Sequence, residues 1–108
     1  MAFRVVFTSG ARKDLRAIHT YIANNDSLQS ADLIAREIVR SALTLRDFPD
    51  RGAHPPELLK RGSRTYRQIL FNPYRILYRV RASTVFIAVV ADGRRDMASL
   101  LARRLSAS

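Results

Sequence analysis

Apolar residues recur along the chain with two different periods, and each change of period marks a boundary between elements. Phe3, Val5 and Phe7 alternate with Arg4, Val6 and Thr8, which predicts a short opening strand, and Ser9-Gly10 breaks that pattern. From Ala11 the apolar positions become Ala11, Leu15, Ile18 and Ile22, the offsets of one helical face, with Arg12, Lys13, Asp14 and Arg16 expected to point away. Asn24-Asn25-Asp26-Ser27 reads as a turn in which Asp26 or Ser27 caps the next helix. The stripe of that helix is Leu28, Ala31, Ala35, Ile38, Ala42 and Leu45, widened by Ile34 and Val39, and its alanines allow a neighbouring helix to approach closely. So short a connection makes the two helices an antiparallel hairpin.

Phe48-Pro49 ends the helical pattern, because proline lacks the N–H and clashes with the preceding turn. Gly52, Pro55, Pro56 and Gly62 mark the stretch from Asp50 to Ser63 as a loop crossing to a sheet. Three strands are then predicted, at about Tyr66–Phe71, Tyr74–Arg81 and Val85–Ala91, joined by turns at Asn72-Pro73 and Ala82-Ser83-Thr84 that are too short for anything but antiparallel pairing. In the middle strand Tyr74, Ile76, Tyr78 and Val80 share one face, expected to be core, and Arg75, Arg79 and Arg81 share the other. The third strand is apolar on both faces, as in a strand covered above and below. After Asp92-Gly93 a last helix carries Met97, Leu100, Leu101 and Leu105 on one side and Arg103 and Arg104 on the other, its stripe facing either the sheet or a partner. The tail beyond Leu105 is expected to fray. The order β-α-α-β-β-β-α predicts an α+β fold, one domain over residues 1–108, with a helix hairpin packed on a small antiparallel sheet and a short C-terminal helix.

Charge adds a direction to this picture. Residues 1–59 hold eight Lys/Arg against seven Asp/Glu, whereas residues 60–108 hold eleven against two, so nearly all of the net +10 lies in the strand-rich half. Such a balance favours acidic partners: nucleic acid, an acidic protein or, least well supported by the helices, an anionic membrane. The bland alternative is a solvated arginine surface that merely keeps a sheet edge from aggregating. With no cysteine and only His19 and His54, the chain offers neither disulfides nor a thiolate metal site, and no metal or cofactor is expected. Its first residues carry about six apolar positions, against ~7–15 in a signal peptide, and no stretch reaches the ~18 of a membrane span, so a cytoplasmic location is expected. His19 is expected to pack beside Ile18 and Ile22, and His54 to sit in a rigid surface loop, where an acid–base pair with Glu57 is the sharper reading.

Several segments in order resemble the ParE/RelE family of bacterial toxins of type II toxin–antitoxin pairs: AxxDLxxIxxYI from Ala11 to Ile22, Phe48-Pro-Asp-Arg-Gly, Arg67, YRILYRV from Tyr74 to Val80, and Val85-Phe-Ile-Ala-Val-Val-Ala followed by DGRRDM. The resemblance spans essentially the whole chain and implies the same element order. It also implies one of two activities. RelE-like members cut mRNA on the ribosome, which requires a base for the 2′-OH, an acid for the leaving oxygen and cations for the phosphorane. Here Arg67, Arg75, Arg79 and Arg81 supply cations that could hold a phosphate, but the last strand has no basic residue and neither Tyr nor His follows Asp92. ParE-like members lack the catalytic set and poison DNA gyrase, trapping its cleaved DNA complex, and the chain is closer to these.

The resemblance therefore implies a non-catalytic gyrase inhibitor of the plasmid-stabilization type. It would be neutralised by an acidic ParD-like antitoxin in a hetero-oligomer, with no membrane or small-molecule ligand. The expected antitoxin- or target-binding residues are Arg67, Arg75, Arg79, Arg81, Arg94, Arg95, Met97, Leu100 and Leu101. For the last three, completing the core remains the alternative; for Arg94 and Arg95, contact with DNA phosphates or no contact at all. A basic nucleic-acid-binding protein without toxicity is the third class.

Overall fold

A computed structural model of the chain describes residues 2–105; the fraying expected beyond Leu105 lies outside them. Strand β1 (Arg4–Phe7) leads into helices α1 (Ser9–Asn25) and α2 (Leu28–Leu43), and a 3-10 turn at Thr44–Arg46 closes α2 before Pro49 is reached. A loop carrying the single-turn helix α3 (Pro56–Leu59) precedes β2 (Arg67–Phe71), β3 (Tyr74–Arg81), β4 (Thr84–Asp92) and α4 (Met97–Arg104). Ser9 and Gly10 form the first turn of α1 rather than a break, because Thr8 Oγ1 accepts from Ala11 N at 3.1 Å and caps the helix. At α2 the cap is Ser27, whose Oγ accepts from Ser30 N at 3.0 Å.

The fold is the expected α+β arrangement, with one refinement: the sheet is mixed. Its order is β1-β4-β3-β2, antiparallel throughout except that β1 runs parallel to β4. The short turns fix the directions of β2, β3 and β4, whereas β1 is separated from them by the helix hairpin and takes the free edge of β4.

Two cores flank the sheet. The helix-facing core contains Ala11, Ile38, Ala42, Leu45, Ile69, Ile76, Tyr78, Val85, Ile87 and Val90, with Tyr74 and Val80 packed against it, so the predicted apolar face of β3 is the face the hairpin covers. Leu28, expected in the α2 stripe, stands exposed at the hairpin tip. The second core lies on the outer face, where Leu58, Tyr66, Leu77, Val89, Ala91, Met97, Leu100 and Leu101 pack together under α4. Thus α4 faces the sheet.

A bulge adjusts β4 to both layers. Leu77 pairs with Val89 but Tyr78 pairs with Ile87, leaving Ala88 as the extra residue. Val85 and Ile87 therefore face the helices while Val89 and Ala91, of the same parity, face α4. Backbone groups beside the bulge are satisfied by side chains: Val90 N donates to Asp14 Oδ2 at 2.9 Å, and Ala88 O accepts from Arg104 Nη2 at 3.1 Å. Arg104 Nη1 also donates to Asp14 Oδ1 at 2.8 Å. Asp14, expected to point into solvent with its neighbours, instead turns in to tie α1 and α4 to β4.

Candidate functional site

The outer face of the sheet divides into a covered and an uncovered end. Helix α4 occupies the end bearing Leu77, Val89 and Ala91. Beyond it Arg79, Arg81, Phe86, Ala88, Tyr66 and Thr8 border a shallow groove of about 200 Å³. Arg79 lies with its guanidinium carbon 5.8 Å from the centre of the Tyr66 ring, a cation–π contact that holds the charge at the surface. Its Nε is, among the described residues, the one buried side-chain polar atom without a hydrogen-bond partner. Neither Arg79 nor Arg81 meets a carboxylate within the described residues, so both charges are uncompensated by the fold.

The other expected site residues are placed differently. Arg75 shares the outer face but is consumed there: its Nη1 and Nη2 donate to Glu57 at 2.9 and 2.7 Å, and its Nε to Gln68 Oε1 at 2.7 Å. That guanidinium holds the Glu57 carboxyl below its ordinary value. Arg67 pairs with Tyr78 across β2 and β3 and so lies on the helix-facing side, donating from Nη1 to Gly52 O at 2.8 Å. Hence the four arginines do not form one free set: Arg75 and Arg67 are spent on partners within the fold, and of the four Arg79 and Arg81 remain without a carboxylate or hydrogen-bond partner among the described residues. Met97, Leu100 and Leu101 are 4%, 4% and 1% exposed, which corrects their expected place on a binding surface: Leu58 and Tyr66, distant in sequence, close over them. Arg94 and Arg95 sit in the turn after β4, fully at the surface. Arg94 is paired with Asp92 at 2.6 Å, which lowers the Asp92 carboxyl, while Arg95 has no side-chain partner among the described residues.

The loop Phe48–Gly52 is held by Tyr78. Its buried hydroxyl donates to Pro49 O at 2.7 Å and accepts from Gly52 N at 3.0 Å, and burial raises its pKa. A Cβ on Gly52 would lie 2.6 Å from Gln68 O and 2.7 Å from the Tyr78 hydroxyl, so this position requires glycine.

The two histidines are committed, though not to each other or to catalytic carboxylates. His19 Nε2 meets Asp32 Oδ1 at 2.7 Å, bridging α1 and α2 at a half-exposed site. Nδ1 of His54 donates to Tyr66 O at 3.0 Å, and Glu57 is held by Arg75, so no His54–Glu57 pair forms. What the sequence order concealed is that His54 borders a cleft of about 160 Å³ with Asp50, Arg64, Arg67 and Arg79. No group of three or more metal-ligating side chains gathers among the described residues, nor is any of their helices long and apolar enough to cross a membrane.

The sequence model of the ParE toxin of type II toxin–antitoxin systems, parDE, matches residues 5–97. The chain belongs to the ParE toxin family. The match runs from β1 to the first residue of α4 and so takes in both the uncovered arginine end of the sheet and the Tyr78-held loop. Solved structures share the fold of this ParE-family chain. A chain of the chromosomal ParDE toxin–antitoxin system of P. aeruginosa superposes with a TM-score of 0.71 at 19% identity, over 84% of this chain and 96% of that one. One from the RelBE2 toxin–antitoxin complex of Mycobacterium tuberculosis gives 0.62 at 24% identity, covering 85% and 92%. An arginine-substituted mutant of the E. coli toxin RelE in the free state gives 0.62 at 17% identity, covering 93% of each. Among proteins of curated function none matches the chain by sequence.

Proposed function

We propose that this ParE-family toxin acts by binding rather than by catalysis, inhibiting DNA gyrase in the cytoplasm, and that a ParD-like acidic antitoxin neutralises it in a hetero-oligomer. The observation that carries the reading is the uncovered end of the outer sheet face. There Arg79 and Arg81 present two charges that the fold leaves uncompensated, set between the aromatic side chains of Tyr66 and Phe86. Cations flanked by rings suit an acidic segment that also brings apolar groups, and a desolvated carboxylate facing Arg79 would gain charge-assisted hydrogen bonds. The toxin–antitoxin pairs among the similar folds support a protein antitoxin as that segment's source.

One observation favours a second reading, ribosome-dependent cleavage of mRNA. With Nδ1 donating to Tyr66 O, the neutral His54 ring has Nε2 as an acceptor, in a cleft that Arg64, Arg67 and Arg79 also border. The cleft is small, and Arg67 is already spent on Gly52 O. Purified protein added in parallel to a gyrase supercoiling reaction and to a translating extract separates the two. Blocked supercoiling with intact mRNA is the expected result; codon-positioned cuts that vanish in His54→Ala, with supercoiling unaffected, would reverse the assignment.

A further inference from the structure

A different cleft, on the opposite side of the sheet from the Arg79–Arg81 groove, lies between α1 and the end of the β3–β4 hairpin. At about 430 Å³ it is within the ~300–1,000 Å³ of small-ligand sites. Its apolar lining comes from Ala17 and Ile18 of α1 and from Val90 and Ala91 of β4. Two tyrosines border it from different elements, Tyr21 of α1 and Tyr74 of β3. Tyr21 is 69% exposed, a large aromatic residue that the core does not use. Tyr74 is half-buried, and burial followed by the nearby Asp92 raises its pKa. Both carboxylates at the cleft already have partners: Asp14 is ion-paired with Arg104 and accepts from Val90 N, and Asp92 is ion-paired with Arg94. Among the described residues that line the cleft, Arg95 is left as the one charged side chain without a hydrogen-bonded or ion-paired partner.

These features select for the shape and charge of a ligand. Two tyrosines around an apolar floor favour a flat, stackable body over a branched aliphatic one. The Arg95 cation at the rim favours one anionic group attached to that body. We infer that this cleft binds an unpaired nucleotide, its base between Tyr21 and Tyr74 and its phosphate against Arg95. The site is separate from the arginine groove, and its occupancy does not depend on gyrase being the target. It gives the basic chain a means of holding single-stranded or extruded nucleic acid without reading sequence, since every base has a face to stack.

The test uses isotope-labelled full-length protein and three probes, adenosine 5′-monophosphate, adenosine and inorganic phosphate, followed by amide chemical shifts. The nucleotide should move the amides of Ile18, Tyr74, Val90, Ala91 and Arg95 in a saturable way, and adenosine should move the same set with weaker affinity. Tyr21→Ala and Arg95→Gln alter exposed side chains; each should weaken nucleotide binding about fivefold or more, and Arg81→Gln should leave it unchanged. Several results would overturn the inference: no saturable shift at these amides, phosphate alone binding as tightly as the nucleotide, or both cleft variants binding like wild type. So would a short acidic peptide carrying one Phe that occupies the cleft when the nucleotide does not, which would assign it to a protein partner. Loss of nucleotide binding with gyrase inhibition intact would leave the proposed function standing.

Discussion

Replacing Glu57 with Gln keeps the size of the side chain but removes the negative partner of Arg75, and the fold should lose stability while the exposed arginines remain as they are. The side chains of Arg75 and Glu57 are 12% and 24% exposed, so the pair lies nearer the buried than the solvated limit. Breaking a fully buried pair costs ~3–5 kcal/mol and an exposed one ~0.2–1, which places Glu57→Gln at about 2 kcal/mol, or about 8 °C in melting temperature for a domain of this size. Linkage supplies a second readout. The Glu57 carboxyl is lowered from 4.5 in the fold, so its stabilisation is fully present above that value and is lost as pH falls through the lower folded value. Urea unfolding from pH 7 down to pH 3 should therefore show an acid-side loss of stability that is smaller in Glu57→Gln. Arg81→Gln, on the same sheet face without a partner, should stay within ~0.5 kcal/mol of wild type at every pH. A Glu57→Gln protein as stable as wild type, with the same acid limb, would refute the division of this face into a structural and a free arginine.

Leu101→Ala should cost ~2–5 kcal/mol in urea unfolding, because Leu101 is 1% exposed in the second core; a change below ~0.5 would return α4 to the list of binding surfaces. Tyr78→Phe strands the Gly52 N–H and Pro49 carbonyl in a buried site and should lower stability by ~1–3 kcal/mol, with faster amide exchange at Gly52. Ala82, at the first position of the two-residue β3–β4 turn, has φ 53°, so Ala82→Gly should raise the melting temperature, by ~0.5–1 kcal/mol of stability, and an unchanged or lower value would contradict that turn geometry.

Periodicity made much of the fold legible. The two faces of β3, one apolar and one basic, are separable because the side-chain period of a strand is two, and the helix hairpin follows from stripes at helical offsets. What escaped depends on contacts between distant segments. Arg75 and Arg79 have the same parity on one strand, and nothing local distinguishes them; Glu57, 18 positions away in the loop, decides that Arg75 is bound and Arg79 is free. Arg67 resembles both, yet its face is set by the pairing of β2 with β3. Asp14 sits among exposed charged residues, and what draws it inward is a backbone donor, Val90 N, on β4 beyond the last residue that β1 pairs with. The fate of the α4 stripe was open because it turned on Leu58 and Tyr66, which come from a loop whose path the pattern does not show. Tyr21 and Tyr74 likewise become neighbours only when α1 crosses the end of the hairpin.

The proposed inhibition requires the uncompensated Arg79–Arg81 pair to serve as the contact surface for gyrase, the surface that the acidic antitoxin segment would then mask. Supercoiling by purified gyrase, measured against increasing amounts of wild-type protein and of a doubly reversed Arg79→Glu, Arg81→Glu variant with an unchanged circular dichroism spectrum and melting temperature, addresses it directly. Inhibition by wild type that falls at least tenfold in the variant is the predicted result. Equal inhibition by the two folded proteins, or none by wild type, would contradict the claim.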